Sequence, residues 1–155
     1  MKGLPPSVKA TAIRMLARRE YARAELSRRL LQRGADRAEV ERVLCELEQL
    51  GYLSDARFAS AVVHQKAGRY AKRAIAHELK EKGVDSAAAG NALVALDGAD
   101  ELAEATALWC RRFGVLPGDE REKARQVRFL LSRGYTTAIA FKVLRAAGAK
   151  LREEG

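Results

Sequence analysis

Apolar residues in this chain recur at spacings of three and four, the signature of helices that bury one face. Val40, Val43, Leu44 and Leu47 mark one such face. Ala89, Ala92, Leu93 and Leu96 mark a second, and Ala140, Val143, Leu144 and Ala147 a third. No run alternates β-branched and polar residues as a half-buried strand would. Each of the three helices follows the same turn. Leu30-Leu31-Gln32-Arg33-Gly34-Ala35-Asp36 aligns without gaps with Leu79-Lys80-Glu81-Lys82-Gly83-Val84-Asp85 and with Leu130-Leu131-Ser132-Arg133-Gly134-Tyr135-Thr136.

Every position of that turn has a physical role. The cation meets the negative end of the preceding helix. Gly34, Gly83 and Gly134 take the left-handed conformation that closes the helix. Asp36, Asp85 and Thr136 then cap the next helix by accepting a backbone N–H, and Glu39 completes a capping box with Asp36. A further helix precedes each pair. The first is capped by Ser7, with Ala12, Ile13, Leu16 and Ala17 inward. Ser54 or Asp55 caps the second, with Phe58, Ala61 and Val62 inward. Asp100 caps the third, with Leu102, Ala105, Trp109 and Phe113 inward. In the third copy, Gly114-Val115-Leu116-Pro117-Gly118 inserts a longer loop, after which Asp119 and Glu122 start a longer helix.

The expected fold is therefore all-α: three tandem three-helix repeats stacked as a short curved solenoid, because units this small bury too little alone. The repeats are placed at residues 9–53, 54–97 and 98–149, between an N-terminal tail (1–8) and a C-terminal tail (150–155). Leu53, Asp55 and Phe58 fall at the seam of the first two repeats, with Phe58 expected as a core anchor.

Composition agrees with this reading, since 48% of the 155 residues are hydrophobic and prolines number only three. Charge adds something new. The formal net charge is +9, which favours an acidic partner, with solubility alone as the plain alternative. The excess follows the repeat. Residues 14–33 hold seven arginines against two glutamates, residues 66–82 six cations against two acids, and residues 111–133 seven against three. Residues 36–55 and 85–104 are acidic instead. Stacked repeats would line their basic middle helices along one side. Candidate contacts to nucleic acid or to an acidic protein polymer are Arg14, Arg18, Arg23, Arg28 and Arg29 in the first repeat. Lys66, Arg69, Lys72, Arg73 and Lys80 are their counterparts in the second, and Arg125 and Arg128 in the third. Pairing of basic with acidic helices within the chain would absorb part of this charge.

No catalytic constellation emerges. His64 and His77 read as helix-surface residues, His64 as partly buried at most. No phosphate-cradling Gly-rich loop and no metal-ligand spacing is present, so neither a cofactor nor a metal is expected. Cys45 and Cys110 read as buried free thiols, without excluding a single disulfide. Met1 to Pro6 lacks the apolar core of a signal peptide, and no stretch approaches a membrane span. A sequence-reading helix-turn-helix fits poorly, because the helix after Gly34 carries Glu39, Glu41, Glu46 and Glu48, which phosphates would repel. Few aromatics lie within the basic stretches, so a base-stacking platform is not expected.

Several segments resemble the RecX family. Gly51-Tyr52-Leu53-Ser54-Asp55-Ala56-Arg57-Phe58-Ala59 is similar to that family's Gly-Tyr-Leu-Asn-Asp-x-Arg-Phe-Ala junction. Ala24-Glu25-Leu26-Ser27-Arg28-Arg29-Leu30 resembles its Glu-Leu-x-x-x-Leu helix, although Tyr21-Ala22 stands where a serine cap is common. Ile75-Ala76-His77-Glu78-Leu79-Lys80-Glu81-Lys82-Gly83-Val84 resembles its Ile-x-x-Glu-Leu-x-x-Lys-Gly-Ile segment. Arg133-Gly134-Tyr135, leading to Val143-Leu144, resembles its final Arg-Gly-Phe…Val-Leu. The resemblance implies a monomeric cytoplasmic regulator and not an enzyme. Such a protein would bind the RecA filament on single-stranded DNA and inhibit its extension, ATP hydrolysis and strand exchange, modulating recombinational DNA repair and the SOS response. The alternative is a helical repeat protein that binds nucleic acid non-specifically and independently of RecA.

Overall fold

The computed structural model describes residues 6–154. Residues 1–5 of the expected N-terminal tail, with most of the segment read for a signal peptide, lie outside the described residues, as does Gly155. Nine α-helices are present among the described residues, and no strand. They are α1 (Val8–Arg18), α2 (Arg23–Gln32), α3 (Arg37–Gln49), α4 (Asp55–Lys66), α5 (Lys72–Glu81), α6 (Ser86–Leu93), α7 (Glu101–Arg112), α8 (Glu120–Ser132) and α9 (Thr137–Glu154). A 3-10 turn, Val94–Leu96, follows α6. The chain is thus all-α, three helices to each of three tandem repeats.

The caps explain where these helices begin. Ser7 Oγ accepts the N–H of Ala10, Asp36 that of Glu39, Asp85 that of Ala88, Asp100 that of Ala103, and Asp119 that of Glu122. Thr136 Oγ1 does the same for Ile139 at α9, and Ser54 Oγ for Arg57 at α4. Ala22, at the start of α2, has no capping side chain of its own. Asp55 serves instead: its Oδ1 accepts the N–H of Arg23 at 2.8 Å, and its Oδ2 accepts the N–H of Asp85 at 2.9 Å. One carboxylate therefore ties the starts of α2, α4 and α6 together.

The three glycine turns share one geometry. Gly34, Gly83 and Gly134 have φ of 94°, 74° and 94°. In each, the N–H of the following residue reaches back to the leucine that opens the motif: Ala35 to Leu30, Val84 to Leu79 and Tyr135 to Leu130.

The helices gather into two compact bodies. The first comprises Met1–His64 and Glu78–Ala95, and the second Gln65–His77 and Leu96–Gly155. The middle repeat is therefore shared, its α5 contributing its end to the first body and its start to the second. In the first body, Leu26, Leu30, Leu44, Leu47 and Leu53 are buried with Ala12, Met15, Tyr21, Val40 and Val43. Each of these large side chains contributes roughly 1.5–3 kcal/mol by leaving water. In the second, Ala105, Leu108 and Trp109 of α7 close on Leu130 of α8, on Ala140, Val143 and Leu144 of α9, and on Ala71 and Tyr135.

Several expected faces are rotated or weakened. α1 turns Ala12 and Met15 inward, and leaves Ile13 (39% exposed) and Ala17 outside. Val8, Ala12, Met15 and Leu16 keep the three-four spacing, whereas Ile13 sits 100° beyond Ala12. On α4 the buried set is Phe58, Ala59, Val62 and Val63, with Ala61 exposed. No residue of α6 is fully buried, consistent with its alanine-rich face. Cys45 and Cys110 are free and exposed, not buried. Each follows a buried residue, Leu44 or Trp109, and one step along a helix carries it to the flank. Helix α9 continues to Glu154, through residues assigned to a C-terminal tail.

Candidate nucleic-acid and partner interface

The structure divides the basic residues into those bound internally and those left available. Arg23 belongs to the first class. Its guanidinium meets Glu48 at 2.6 Å and Glu41 at 2.7 Å, stapling α2 to α3. The hydrogen bond it donates to Glu41 leads the effects that raise its pKa, against the opposing influence of burial. Lys72 pairs with Asp97 at 2.7 Å, and Arg125 with Glu122 at 3.2 Å. These three are committed to ion pairs within the chain, which lowers their worth to an outside anion.

Glu25 organises a second internal cluster. Its carboxylate is 4% exposed and accepts from Arg19 (3.1 Å) and Lys82 (3.0 Å), with Arg29 at 3.8 Å. Burial by itself would raise its pKa; the hydrogen bonds from Arg19 and Lys82 outweigh that and hold it below the ordinary carboxylate value. Arg19 also lies 3.6 Å over the ring of Tyr21.

Arg14, Arg18 and Arg28 in the first body are exposed, and their side chains have no hydrogen bond or ion pair among the described residues. Lys80, Arg69, Arg73 and Arg128 are also exposed on helix surfaces or turns. Arg14, Arg18 and Arg29 come together with Arg33, which charge counting alone did not single out, around a pocket of about 310 Å³. In the second body, Lys66 and Arg133 lie 4.8 and 4.6 Å from the ring of Tyr70. Arg133 Nη1 also donates to the carbonyl of Arg69. Arg112, Arg125 and Arg133 similarly cover Phe113 and Phe129. The aromatics within the basic stretches are thus largely occupied by cations of the chain itself.

The second body also holds two buried polar groups. Gln126 (2% exposed) occupies the position of Leu26 and Ile75 in the other repeats. It accepts from Trp109 Nε1 at 2.8 Å and donates to the carbonyl of Val115, anchoring the inserted loop. The Tyr135 hydroxyl is buried without a hydrogen-bond partner. Burial, then the charges of Glu104 and Glu101, push its pKa up to about 12. At the seam, Leu53 and Phe58 are buried, at 2% and 6% exposure. His64 and His77 are exposed. Among the described residues, no cluster of His, Cys, Asp or Glu could hold a metal, and no helix is long and apolar enough to cross a membrane.

Comparison with known proteins gives this arrangement a family. Models of the first, second and third three-helix domains of RecX match residues 9–47, 54–93 and 99–144. The Regulatory protein RecX of Leptothrix cholodnii is 46% identical over 91% of this chain and 89% of its own length. That of Chromobacterium violaceum is 42% identical over 92% of this chain and 91% of its own. Among solved structures, RecX from Lactobacillus salivarius shares the fold with a TM-score of 0.67 at 17% identity, covering 92% of this chain and 95% of that one. A second crystal structure, of a regulatory protein RecX, gives 0.65 at 18% identity, covering 94% and 81%. With all three domains matched in order and relatives above 40% identity along nearly the full length, the chain belongs to the RecX family of regulatory proteins.

Proposed function

We propose that this protein binds the RecA filament on single-stranded DNA and inhibits its extension, ATP hydrolysis and strand exchange, and so modulates recombinational DNA repair and the SOS response. The observation that carries this reading is the ordered match of all three RecX domains along the chain. The exposed cations support it. Arg14, Arg18, Arg28, Arg69, Arg73, Lys80 and Arg128 have no acidic partner among the described residues and suit a surface of protein carboxylates and DNA phosphates. Arg23, Lys72 and Arg125 carry less of that role because each already neutralises an acid of the chain. The protein acts by binding and not by catalysis, as a monomer in the cytoplasm.

The test is RecA-catalysed ATP hydrolysis on single-stranded DNA with this protein added in increasing amounts. Hydrolysis and strand exchange should both fall as it is titrated. Unchanged rates at saturating protein would overturn the reading, and would leave non-specific nucleic-acid binding as the activity of the basic surface.

A further inference from the structure

We infer that the pocket between α1 and α2 is a phosphodiester-binding site, through which the protein grips the backbone of single-stranded nucleic acid without reading its bases. The inference rests on the nucleic-acid half of the proposed function and not on RecA. Arg14 and Arg18 stand one turn apart on α1, and Arg33, the C-cap of α2, stands one turn beyond Arg29. All four line one pocket of about 310 Å³ whose lining includes no acid. Like charges brought together in this way repel one another, and among the described residues only Arg29 has a partner, a long 3.8 Å contact with Glu25 and a place 5.5 Å from the ring of Tyr21. The side chains of Arg14, Arg18 and Arg33 have no hydrogen bond or ion pair among the described residues, and Arg29 is only 3.8 Å from Glu25, which is already held by Arg19 and Lys82. Such an exposed cluster offers an external anion several guanidinium donors at once.

The residue types identify that anion. All seven cations between residues 14 and 33 are arginine, whose planar fork matches phosphate oxygens two at a time. Four guanidiniums in one pocket call for closely and regularly spaced negative charge, which a phosphodiester chain supplies at every nucleotide. Base recognition is not provided. Tyr21, the aromatic of this pocket, is buried and has Arg19 3.6 Å from its ring centroid. Binding at this site is therefore independent of sequence.

The experiment uses the full chain and a fluorescein-labelled oligo-dT of about 20 nucleotides, with anisotropy read across a salt series and no RecA present. Arg18→Ala with Arg33→Ala should weaken binding ten-fold or more. It should also flatten the slope of log K against log salt by about 1.4, roughly 0.7 for each phosphate no longer neutralised. Arg18→Lys with Arg33→Lys should restore the slope but only part of the affinity, since charge returns without the fork. Arg37→Ala with Arg42→Ala removes two exposed charges from α3 and should change affinity less than two-fold. Circular dichroism melts of the variants should stay within about a few degrees of the parent, because these side chains have no internal ion pair and Arg18 and Arg33 only complement the ends of α1 and α2. If the α3 pair costs as much as the pocket pair, diffuse charge binds the strand and the site is refuted. An unchanged oligo-dT affinity in the pocket pair, with weakened inhibition of RecA, also refutes it and assigns the pocket to a protein surface, leaving the RecA reading intact. Conversely, the expected losses on oligo-dT in a protein with no effect on RecA would uphold the pocket and remove the RecA reading.

Discussion

Gly34, Gly83 and Gly134 share one conformation, yet their replacement by alanine should not cost the same. At Gly34 a Cβ would meet nothing within 4 Å, so Gly34→Ala carries only the penalty of a side chain in the left-handed region, about 1–2 kcal/mol. Part of that is offset by the reduced freedom of the unfolded chain, leaving about 1 kcal/mol. At Gly83 the same Cβ would stand 2.6 Å from the Cβ of Ala24 on α2. At Gly134 it would stand 2.6 Å from the Cβ of Ala74 and 3.3 Å from that of Ala71, both beside the start of α5. Neither neighbour is the end of a flexible side chain, so a helix must move. Overpacking of that kind adds about 1–3 kcal/mol. Gly83→Ala and Gly134→Ala should each lose roughly 2–4 kcal/mol in all, with Gly134→Ala the larger because more atoms obstruct it. Thermal melts followed at about 222 nm separate these values, since 1 kcal/mol moves the midpoint by about 2–4 °C in a chain of this size. A double-mutant cycle isolates the clash. Ala24→Gly costs about 0.5–1 kcal/mol in the parent as a helix substitution, but should recover stability in the Gly83→Ala background. Equal losses at Gly34 and Gly83, or an Ala24→Gly cost that simply adds to that of Gly83→Ala, would refute this account of how the turn of one repeat seats on the middle helix of the one before.

Asp55→Ala should destabilise by about 1–3 kcal/mol, since the backbone N–H groups of Arg23 and Asp85 lose their acceptor together. Asp55→Asn, which keeps one oxygen, should lose less, with both variants compared with the parent by urea titration. Glu25 has a lowered pKa when folded, so its contribution is present above the ordinary carboxylate value and is lost as pH falls through the folded value. Stability measured from about pH 7 to about pH 3 should therefore decline less steeply in Glu25→Gln than in the parent, although the variant starts lower. Gln126→Leu restores the apolar residue of the other repeats but strands the indole N–H of Trp109 and the carbonyl of Val115. Chemical denaturation should show a loss of about 1–3 kcal/mol and not a gain.

Much of the fold was legible because it is written in local chemistry. Gly34 with Asp36, Gly83 with Asp85 and Gly134 with Thr136 each specify a helix stop and a helix start within three residues, and nothing distant can easily change them. Face assignment was less secure where a helix is short and rich in alanine. α1 buries Met15 in preference to Ile13, a choice set by where α2 and α3 lie and not by hydrophobicity. Asp55 shows a further limit. Its place in the Leu53-Ser54-Asp55 junction suggests a cap for its own helix, yet Ser54 performs that task and Asp55 caps α2, thirty-two residues earlier. The uncapped Ala22 was the visible signal that some distant acceptor was needed.

The candidate surface was harder to read because charge counting treats cations as equals. Arg23 and Arg33 lie near opposite ends of α2, identical in chemistry and both within the most basic stretch of the sequence. Arg23 meets Glu41 and Glu48, because α3 brings its acidic side against the start of α2. At the other end α3 offers no acid to Arg33, and α1 contributes Arg14 and Arg18 instead. The charge pattern located the basic helix, but the division of its arginines follows from the packing of α1 and α3 on either end. An ion pair within the chain would have to be broken before Arg23 could serve an outside anion, whereas Arg14, Arg18 and Arg33 have none to break among the described residues. Substitutions along α2 should therefore separate by position: near its start they loosen the fold, and near its end they weaken the hold on phosphate.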